Sequence, residues 1–316
     1  TDPVVMECRG LILDTHFNPV CRPLDRFFNM GEALNITENF DITQSIAYEK
    51  VDGSLCKLYK YDGLWRVGTR GTAFAGTENY TGRTFKDMFH EALGVVSTYH
   101  LTEVMAGFND ELTFIMEFVS PDNRIVTPYE KSEMVLLAVR HNVSGREVND
   151  DYCQCVELFQ DAGLNVRLPK TYHFSDNEQM KEFVNQLDGL QEGVVLHDLK
   201  NNIRVKVKSE LYVAVHKVRG ENILTPKSIR ELVVTGEVDE YLVYFPEDVG
   251  KINPYQEKWD VFVQSAVETF ERYKGIEDQK EFAMSIKDFM YKDALFKARR
   301  NGISVVQSIS EMRKSH

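Results

Sequence analysis

Cysteine is scarce in this chain of 316 residues, and its placement favours no bonding framework. The five cysteines are scattered, and only Cys153 and Cys155 lie close together. There is no second pair to complete a zinc site, and an odd number cannot be paired fully as disulfides. We therefore expect reduced thiols in a cytoplasmic protein, and neither a disulfide-stabilised secreted domain nor a zinc-binding module.

Positive charge is in the minority, because 37 lysines and arginines stand against 49 acidic residues and the net charge is −12. A protein that coats nucleic acid non-specifically needs a basic surface, so this class is excluded, although a local basic cleft is not. No apolar run approaches the length of a membrane span, and no signal peptide is evident. The chain begins with Thr1, and we expect its natural N-terminus to be missing.

The composition that remains is that of a globular protein, 43% hydrophobic and 27% charged, long enough for one large domain or two smaller ones. Strand-like patterns cover residues 4–13, 45–49, 55–60, 65–72, 113–119, 135–140, 193–196 and 203–208. Helical patterns cover residues 84–93, 226–235, 255–274 and 278–300. We therefore predict an α+β fold. Antiparallel sheets with flanking helices would form a domain of residues 1–225, and an all-α domain would follow in residues 226–316.

Residues 50–54, Lys-Val-Asp-Gly-Ser, lie between two of the predicted strands, and Asp-Gly is a turn signal. We predict a hairpin that places Lys50 at the lip of a sheet. Gly53 beside it lets a ligand approach the backbone. An ordinary hairpin with a solvated lysine fits these five residues equally well.

Charged residues also occur inside apolar strand patterns, where a charge needs a partner. Arg9 requires an anion, which is either a phosphate or the carboxylate of Glu7 on the same strand face. Glu117 is the one carboxylate of its strand, and a structural ion pair and a ligand role suit it equally.

Residues 203–208 alternate cleanly, so that Arg204, Lys206 and Lys208 share the face opposite the core. Three cations on one face repel each other unless an anion lies over them. A solvated edge strand protected by lysines is the alternative, and this segment alone favours it.

Four features of the sequence occur in the order found in covalent nucleotidyltransferases, the superfamily of ATP-dependent ligases and mRNA capping enzymes. They are Lys50-x-Asp-Gly, Glu117 in its apolar strand, Glu192-Gly-Val-Val and Lys206-x-Lys. Within that superfamily the chain most resembles the phage RNA ligase 1 family, over about residues 6–216. The stretches that carry this closer resemblance are Glu-Cys-Arg-Gly from Glu7, Arg-Phe-Phe-Asn from Arg26, Phe-Val-Ser-Pro-Asp-Asn-Arg-Ile-Val from Phe118, and Lys-Ser-Glu-Leu-Tyr from Lys208. The chain departs from the family where Arg26 and Arg70 replace the lysines often found there, and arginine is not a neutral replacement at a phosphate contact.

The resemblance implies an ATP-dependent RNA ligase that uses Mg²⁺ or Mn²⁺ and acts in RNA repair, with cleaved tRNA as one substrate. AMP would pass from Lys50 to a 5′-phosphate, and a 3′-hydroxyl would then displace it. The catalytic residues implied are Lys50, Asp52, Glu192, Lys206 and Lys208, with Glu192 also at the metal. The nucleotide-binding residues implied are Arg9, Arg26, Phe28, Glu49, Lys50, Gly53, Arg70, Glu117, Lys206, Lys208 and Tyr212.

The chemistry accounts for these residue types. Lys50 must be a neutral amine to attack the α-phosphate, and neighbouring cations favour that form because like charges disfavour protonation. The same cations offset the phosphate charge in the transition state. From the resemblance, Glu117 contacts the ribose hydroxyls, Glu192 a metal-bound water, and Asp52 the attacking hydroxyl or a metal. Phe28 and Tyr212 are candidate contacts to the nucleotide or to the RNA end.

Two other functions stay open on the sequence. A DNA ligase or a GTP-using capping enzyme shares the motifs, but these carry a β-barrel where this chain has helical patterns. A catalytically silent RNA-binding protein shares the scaffold, but the intact Lys50 and the acidic composition argue against it. We expect RNA and ATP as partners, no membrane, a monomer, and the cytoplasm, that of the host if a phage encodes the chain.

Overall fold

The computed structural model describes residues 2–79, 81–148, 152–187, 190–219 and 224–313. Twelve strands occur in these residues. They are β1 (Ile12–Leu13), β2 (Pro19–Cys21), β3 (Phe28–Asn29), β4 (Ser45–Glu49), β5 (Ser54–Tyr61), β6 (Leu64–Thr69), β7 (Leu112–Val119), β8 (Glu133–His141), β9 (Val166–Arg167), β10 (Thr171–Tyr172), β11 (Gly193–Asp198) and β12 (Ile203–Lys208). The chain divides into two units, Thr1–His216 and Lys217–His316, and all twelve strands belong to the first.

Helices flank the strands and make up the second unit. In the described residues they are α1 (Pro3–Glu7), α2 (Leu34–Thr37), α3 (Phe85–Leu93), α4 (Thr98–Val104), α5 (Tyr152–Asp161), α6 (Asn177–Asn185), α7 (Glu210–Arg219), α8 (Pro226–Thr235), α9 (Val238–Tyr244), α10 (Val249–Tyr273), α11 (Gln279–Ser285), α12 (Lys292–Asn301) and α13 (Val305–Arg313). Single 3₁₀ turns occur at Ile42–Gln44, Pro121–Asn123 and Pro246–Asp248. None of the helices described is both long and apolar enough to cross a membrane.

Two five-stranded sheets dominate the first unit. Their strand orders are β10-β4-β11-β12-β3, called here the lysine sheet, and β6-β5-β7-β8-β9, called here the central sheet. Neighbours run antiparallel except β3 beside β12 and β9 beside β8, and β1 pairs with β2 separately. The predicted α+β class, with antiparallel sheets followed by C-terminal helices, is confirmed.

The main core lies on one face of the central sheet. Phe114, Met116 and Phe118 of β7 pack there, as alternation predicted, against aromatic groups such as Trp65 and Phe89. Each fully buried side chain of this size contributes about 1.5–3 kcal/mol of hydrophobic stabilisation. The opposite face of β7 carries Val119 in a smaller cluster and leaves Glu117 beside it.

Local signals placed several elements correctly. Helix α3 begins after Thr84, whose hydroxyl accepts from the Asp87 N–H, and ends at Gly94 in the left-handed region. Helix α8 likewise lies between Thr225 and Gly236. The helical pattern of 278–300 is two helices, however. Helix α11 ends at Ser285, and the segment before α12 contains buried Ile286 and Tyr291, whose ring packs against Phe262. Helix α10 begins at Val249, six residues before the predicted start.

The predicted strand 4–13 is confirmed only at Ile12–Leu13, which form β1, and is wrong for the residues before them. Asp2 caps a helix instead, since its side chain accepts from the Val4 N–H at 2.8 Å and Pro3 suits the first turn. Arg9 therefore lies in a turn, and Glu7 pairs with Arg22 at 2.5 Å and not with Arg9.

The predicted hairpin at Lys50 is also wrong, because β4 belongs to the lysine sheet and β5 to the central sheet. Residues 50–53 are therefore the link between the two sheets. Gly53 is pressed against β7, where an added Cβ would lie 2.2 Å from the Phe118 carbonyl oxygen. The hairpin lies one connection later, at Asp62 and Gly63, which both have positive φ and join β5 to β6.

The second unit has its own core. Helices α10 to α13 bury Ala266, Phe282, Leu295 and Val305 together. Cys8, Cys21, Cys56 and Cys155 are free thiols, as expected, and the side chain of Cys153 lies outside the described residues.

Candidate active site

Strand pairing in the lysine sheet arranges the candidate residues in rows across one face. The Lys50 N–H donates to the Gly193 carbonyl at 2.9 Å and so extends the register of β4 by one residue. Residues directly opposite one another in antiparallel strands share a face. The rows across β4, β11 and β12 are Lys50, Gly193 and Lys208; then Tyr48, Val195 and Lys206; then Ile46, His197 and Arg204.

A single carboxylate bridges the two lysines of the first row. Lys50 Nζ donates to Glu192 Oε2 at 2.7 Å, and Lys208 Nζ lies 2.9 Å from Glu192 Oε1. Glu192 is 4% exposed, so its charge is compensated by these two ion pairs and not by water. Gly193 between the lysines cannot be larger, since its φ is +144° and a Cβ would lie 2.0 Å from the Val207 carbonyl oxygen.

Asp52 is 3% exposed, and both its oxygens are engaged within the protein. Oδ2 accepts from the Val126 and Thr127 N–H groups at 2.8 Å, and Oδ1 accepts from the Tyr212 hydroxyl at 2.7 Å. Tyr212 is itself buried, and burial together with the charges of Glu192 and Asp52 raises the pKa of its hydroxyl. Asp52 thus connects the link between the sheets to the 126–127 loop and to α7.

Glu117 lies on β7 of the central sheet, close enough to Lys50, Glu192 and Asp52 to be affected by their charges. Burial raises its pKa to about 8; Glu192 and Asp52 add to this rise, while Lys50 and the Gly53 N–H oppose it. At neutral pH this carboxyl therefore holds a proton and can donate a hydrogen bond as well as accept one.

A cationic pocket, an open cavity of about 720 Å³, lies beside Lys206. Its charged lining consists of Arg9, Arg26, Arg70, Lys206 and the carboxylate Glu32. Burial and the neighbouring Arg70 and Arg26 lower the pKa of Arg9, and burial and the nearby Lys50, Arg9 and Lys208 lower that of Lys206. Four cations against one carboxylate leave an excess of positive charge that favours an anionic ligand, and phosphate groups suit arginine and lysine best.

Phe27 and Phe28 also line the cationic pocket, together with Asn29. The Arg26 guanidinium lies 5.1 Å from the centre of the Phe28 ring, and Lys206 Nζ lies 5.4 Å from that of Phe27. Sequence reasoning missed Glu32, which accepts from the Asn29 N–H and side-chain amide at 3.0 and 2.9 Å.

A second, smaller cavity of about 130 Å³ lies between the two sheets, and Phe27 lines this one as well. Its walls include Val195 of the lysine sheet and Leu137 of the central sheet, and Glu49, next to Lys50, also faces it. Glu49 accepts from the Arg167 guanidinium and from the Lys170 N–H, each at 3.1 Å. A mostly apolar slot with a few polar groups is typical of a site for a small organic ligand.

Lys57 is a site-supporting residue that the sequence analysis did not single out. It is 1% exposed, its Nζ donates to the Gly10 carbonyl at 2.8 Å, and burial lowers its pKa. Gly10 has φ +84°, and a Cβ there would lie 3.2 Å from the Arg70 carbonyl oxygen. Lys57 therefore holds the turn that presents Arg9. The sequence did contain an indication of this role, since Lys57 lies between Cys56 and Leu58 in an apolar strand, where a lysine needs a partner.

The fold brings the predicted residues to two adjoining places. Lys50, Asp52, Glu117, Glu192 and Lys208 lie around the link between the sheets, and Arg9, Arg26, Phe28 and Arg70 lie in the cationic pocket, with Lys206 near both. Across the described residues, no three His, Cys, Asp or Glu side chains are grouped so as to hold a metal ion by themselves.

Comparison with known proteins adds a second kind of evidence. A family model described as RNA ligase matches residues 7–212. The "Putative bifunctional polynucleotide kinase/RNA ligase" of Autographa californica nuclear polyhedrosis virus is 36% identical over 280 residues, 84% of this chain and 38% of that protein. The RNA ligase of Rhodothermus phage RM378 is 24% identical over an alignment of 370 residues, 94% of this chain and 81% of that protein. A solved structure of a mutant Naegleria gruberi RNA ligase with ATP and Mn has a TM-score of 0.48 and 16% identity, over 69% of this chain and 62% of that one. The chain thus spans well under half the length of the viral relative.

Proposed function

Because the chain belongs to the phage RNA ligase 1 family, we propose that it is an ATP-dependent RNA ligase, joining a 5′-phosphate RNA end to a 3′-hydroxyl end. The observation that carries this proposal is Lys50, paired with a buried carboxylate and beside a pocket of four cations. A nucleophile next to a proton acceptor and a phosphate site is the arrangement that nucleotidyl transfer requires.

We place the nucleotide across the two cavities that share Phe27. The base would lie in the slot between Val195 and Leu137, and the β- and γ-phosphates in the cationic pocket. The α-phosphate would then lie near Lys206, whose pKa is lowered in part by the charge of nearby Lys50. Glu117 is placed to bind ribose hydroxyls, and its raised pKa equips it to donate as well as accept.

In the first step the Lys50 amine attacks the α-phosphorus, a phosphorus–nitrogen bond forms, and pyrophosphate leaves. Glu192, 2.7 Å away, is placed to receive the Lys50 proton. Lys206, Lys208 and the arginines of the pocket offset the charge that develops on the phosphate oxygens. In the second step an RNA 5′-phosphate oxygen attacks the same phosphorus and releases Lys50. In the third, an RNA 3′-hydroxyl attacks the 5′-phosphorus and AMP leaves.

A divalent metal fits this site only if the phosphates supply most of its ligands. Glu192 is the carboxylate next to the reacting lysine, and Mg²⁺ commonly binds through one or two carboxylates with phosphate and water oxygens. Such an ion would neutralise phosphate charge. The oxygens of Asp52 accept from two backbone N–H groups and the Tyr212 hydroxyl, and not from a reacting lysine as those of Glu192 do. We therefore assign Asp52 to positioning the link between the sheets, and Tyr212 to holding Asp52.

The wider predictions are part of this proposal. Residues 1–225 would form the nucleotidyltransferase domain, and residues 226–316 a helical domain that selects RNA. A role in RNA repair, cleaved tRNA as substrate, a cytoplasmic location and a monomeric state are proposed on the family resemblance.

The test is covalent labelling with α-labelled ATP, followed by acid quenching. We expect an acid-stable adduct with wild type and with Lys60→Ala, which removes a partly exposed lysine paired with Asp110. Lys50→Ala should lose the adduct, and so should Lys50→Arg, because a guanidinium stays protonated. Labelling by GTP in place of ATP would indicate a capping-type enzyme, and no labelling of wild type would indicate a silent scaffold.

A further inference from the structure

Arg204, the third cation of β12, takes no part in the cationic pocket. Its Nη1 donates to Glu147 Oε1 at 2.6 Å, and its Nη2 donates to the other Glu147 oxygen. The Arg204 side chain is 13% exposed and that of Glu147 is 9% exposed. Bidentate pairs of this kind are the strong, geometrically defined ones. Arg204 is therefore committed to Glu147 and is not free to bind a phosphate.

This ion pair joins the two sheets. Arg204 lies on β12 of the lysine sheet, whereas Glu147 forms a backbone bridge with Arg140 on β8 of the central sheet. The two residues are 57 positions apart in sequence. The pair thus fixes the separation of the sheets at one place.

His197 holds Arg204 from a second direction. Its Nδ1 lies 3.0 Å from Arg204 Nη2, and because arginine only donates, Nδ1 must accept. The proton is then on Nε2, which donates to Asn202 Oδ1 at 3.1 Å. His197 is buried, so the Arg204 side chain is held between two acceptors in a rigid surrounding.

All three side chains line the 130 Å³ slot between the sheets. His197 and Arg204 occupy the row of Ile46, two rows from Lys50, and Glu147 reaches Arg204 there from the side of the central sheet. Rows on one strand face are about 7 Å apart. The three side chains therefore close the slot at the end away from the reacting lysine. We refer to Arg204, Glu147 and His197 as the sheet clamp.

We propose that the sheet clamp is a specificity-determining element, which limits the size of the nucleobase that the slot accepts by holding the two sheets at a fixed separation. The inference rests on the proposed function, since it takes the slot to be the base site. Releasing the clamp lets the sheet edges separate and admits a larger ring system.

The test compares adduct formation from ATP, GTP and 1,N6-ethenoadenosine triphosphate. The base of GTP is a purine of similar size to adenine with different hydrogen-bonding groups, whereas the etheno base carries an extra ring. We expect Glu147→Ala to raise the etheno-to-ATP ratio of initial rates about tenfold, the scale of a steric change in an apolar pocket, with the GTP-to-ATP ratio unchanged. The matched control is Asp25→Asn. Arg140 lies on β8 and donates to Asp25 Oδ1 at 2.7 Å, so this substitution also removes the carboxylate partner of an arginine. Asp25 does not line the slot.

Glu147→Gln serves as the second variant, because it keeps the side-chain shape and one accepting oxygen. It should move the etheno-to-ATP ratio in the same direction by a smaller factor, and it decides the question if Glu147→Ala does not fold. An unchanged ratio in folded variants, or a change in the GTP ratio alone, overturns the size limit. Failure of wild type to label with ATP instead overturns the proposed function, so the two failures are distinguishable.

Discussion

Two carboxylates near Lys50 have different properties because their surroundings differ. Glu192 is buried but accepts from two lysines, whereas burial raises the pKa of Glu117 and the charge of Lys50 opposes that rise only in part. Glu192 is suited to hold two lysines by ion pairs, and Glu117 to keep its proton near neutral pH. Residue type alone does not distinguish these roles.

The raised pKa of Glu117 predicts a pH dependence of stability. From an unfolded value near 4.5 up to about 8, the folded chain keeps a proton that the unfolded chain has released. The unfolding free energy should therefore fall as pH rises through this window. Above about pH 8 Glu117 is deprotonated in both states, and this loss of stability should be complete. Urea unfolding of wild type and Glu117→Gln across these pH values checks this. The variant should show the flatter profile, and equal slopes would assign the effect to another group.

The separate roles of Lys50 and Lys206 predict different behaviour on RNA that is already adenylylated. This substrate bypasses the nucleophile but still needs the cations that stabilise the transition state. Lys50→Ala should therefore seal it at a measurable rate, whereas Lys206→Ala should not. Sealing is measured as the gain of joined product on a gel. Activity of both variants, or of neither, would contradict this division of roles.

At the scale of elements, the short link of residues 50–53 determines how the two sheets form one site. It carries Lys50 at the edge of the lysine sheet and Asp52 into a buried set of hydrogen bonds with the 126–127 loop and α7. Its position depends on close contact of Gly53 with β7.

Gly53→Ala should therefore displace this link, because the new Cβ would lie 2.2 Å from a backbone oxygen that cannot move aside easily. We expect a loss of about 1–3 kcal/mol in unfolding free energy, the usual cost of overpacking, and strongly reduced ATP labelling. The control is Gly107→Ala, since nothing lies within 4 Å of a Cβ there. Urea unfolding gives the free energies, and equal stability of the two variants would show that the link tolerates a shift.

At the scale of the whole molecule, each unit has a hydrophobic core of its own. The predicted site residues all lie in the first unit, and the second packs helices α10 to α13 around Phe282 and Leu295. This division supports separate roles for the two units in the proposed reaction.

Removal of the helices tests those roles. A chain cut after Leu224 should still take AMP from ATP, provided that it is soluble and monodisperse. It should lose more activity on structured RNA than on short single strands, because a folded substrate needs a larger docking surface. Labelling and ligation of both RNA types are measured side by side. A folded truncation without labelling would place the helices in the catalytic unit, and an unchanged RNA preference would place selection in the first unit.

The sequence by itself determined those features that depend on neighbours along the chain. The faces of β7 and β12 follow from alternation, and the ends of α3 and α8 from their capping residues, because these depend on local backbone geometry. The order of the motifs was likewise sufficient to predict the family that the comparisons confirm.

Only the tertiary structure decided what each charged group meets. Asp52 and Tyr212 are 160 residues apart, Lys57 donates to a carbonyl 47 residues away, and Arg204 is neutralised by Glu147, which lies beside β8 of the other sheet. Alternation showed that three cations share one face of β12, but not that one of them is paired. The reason is that strand pairing and burial are set by free energy summed over the whole fold, so a pattern within one strand cannot specify its partners.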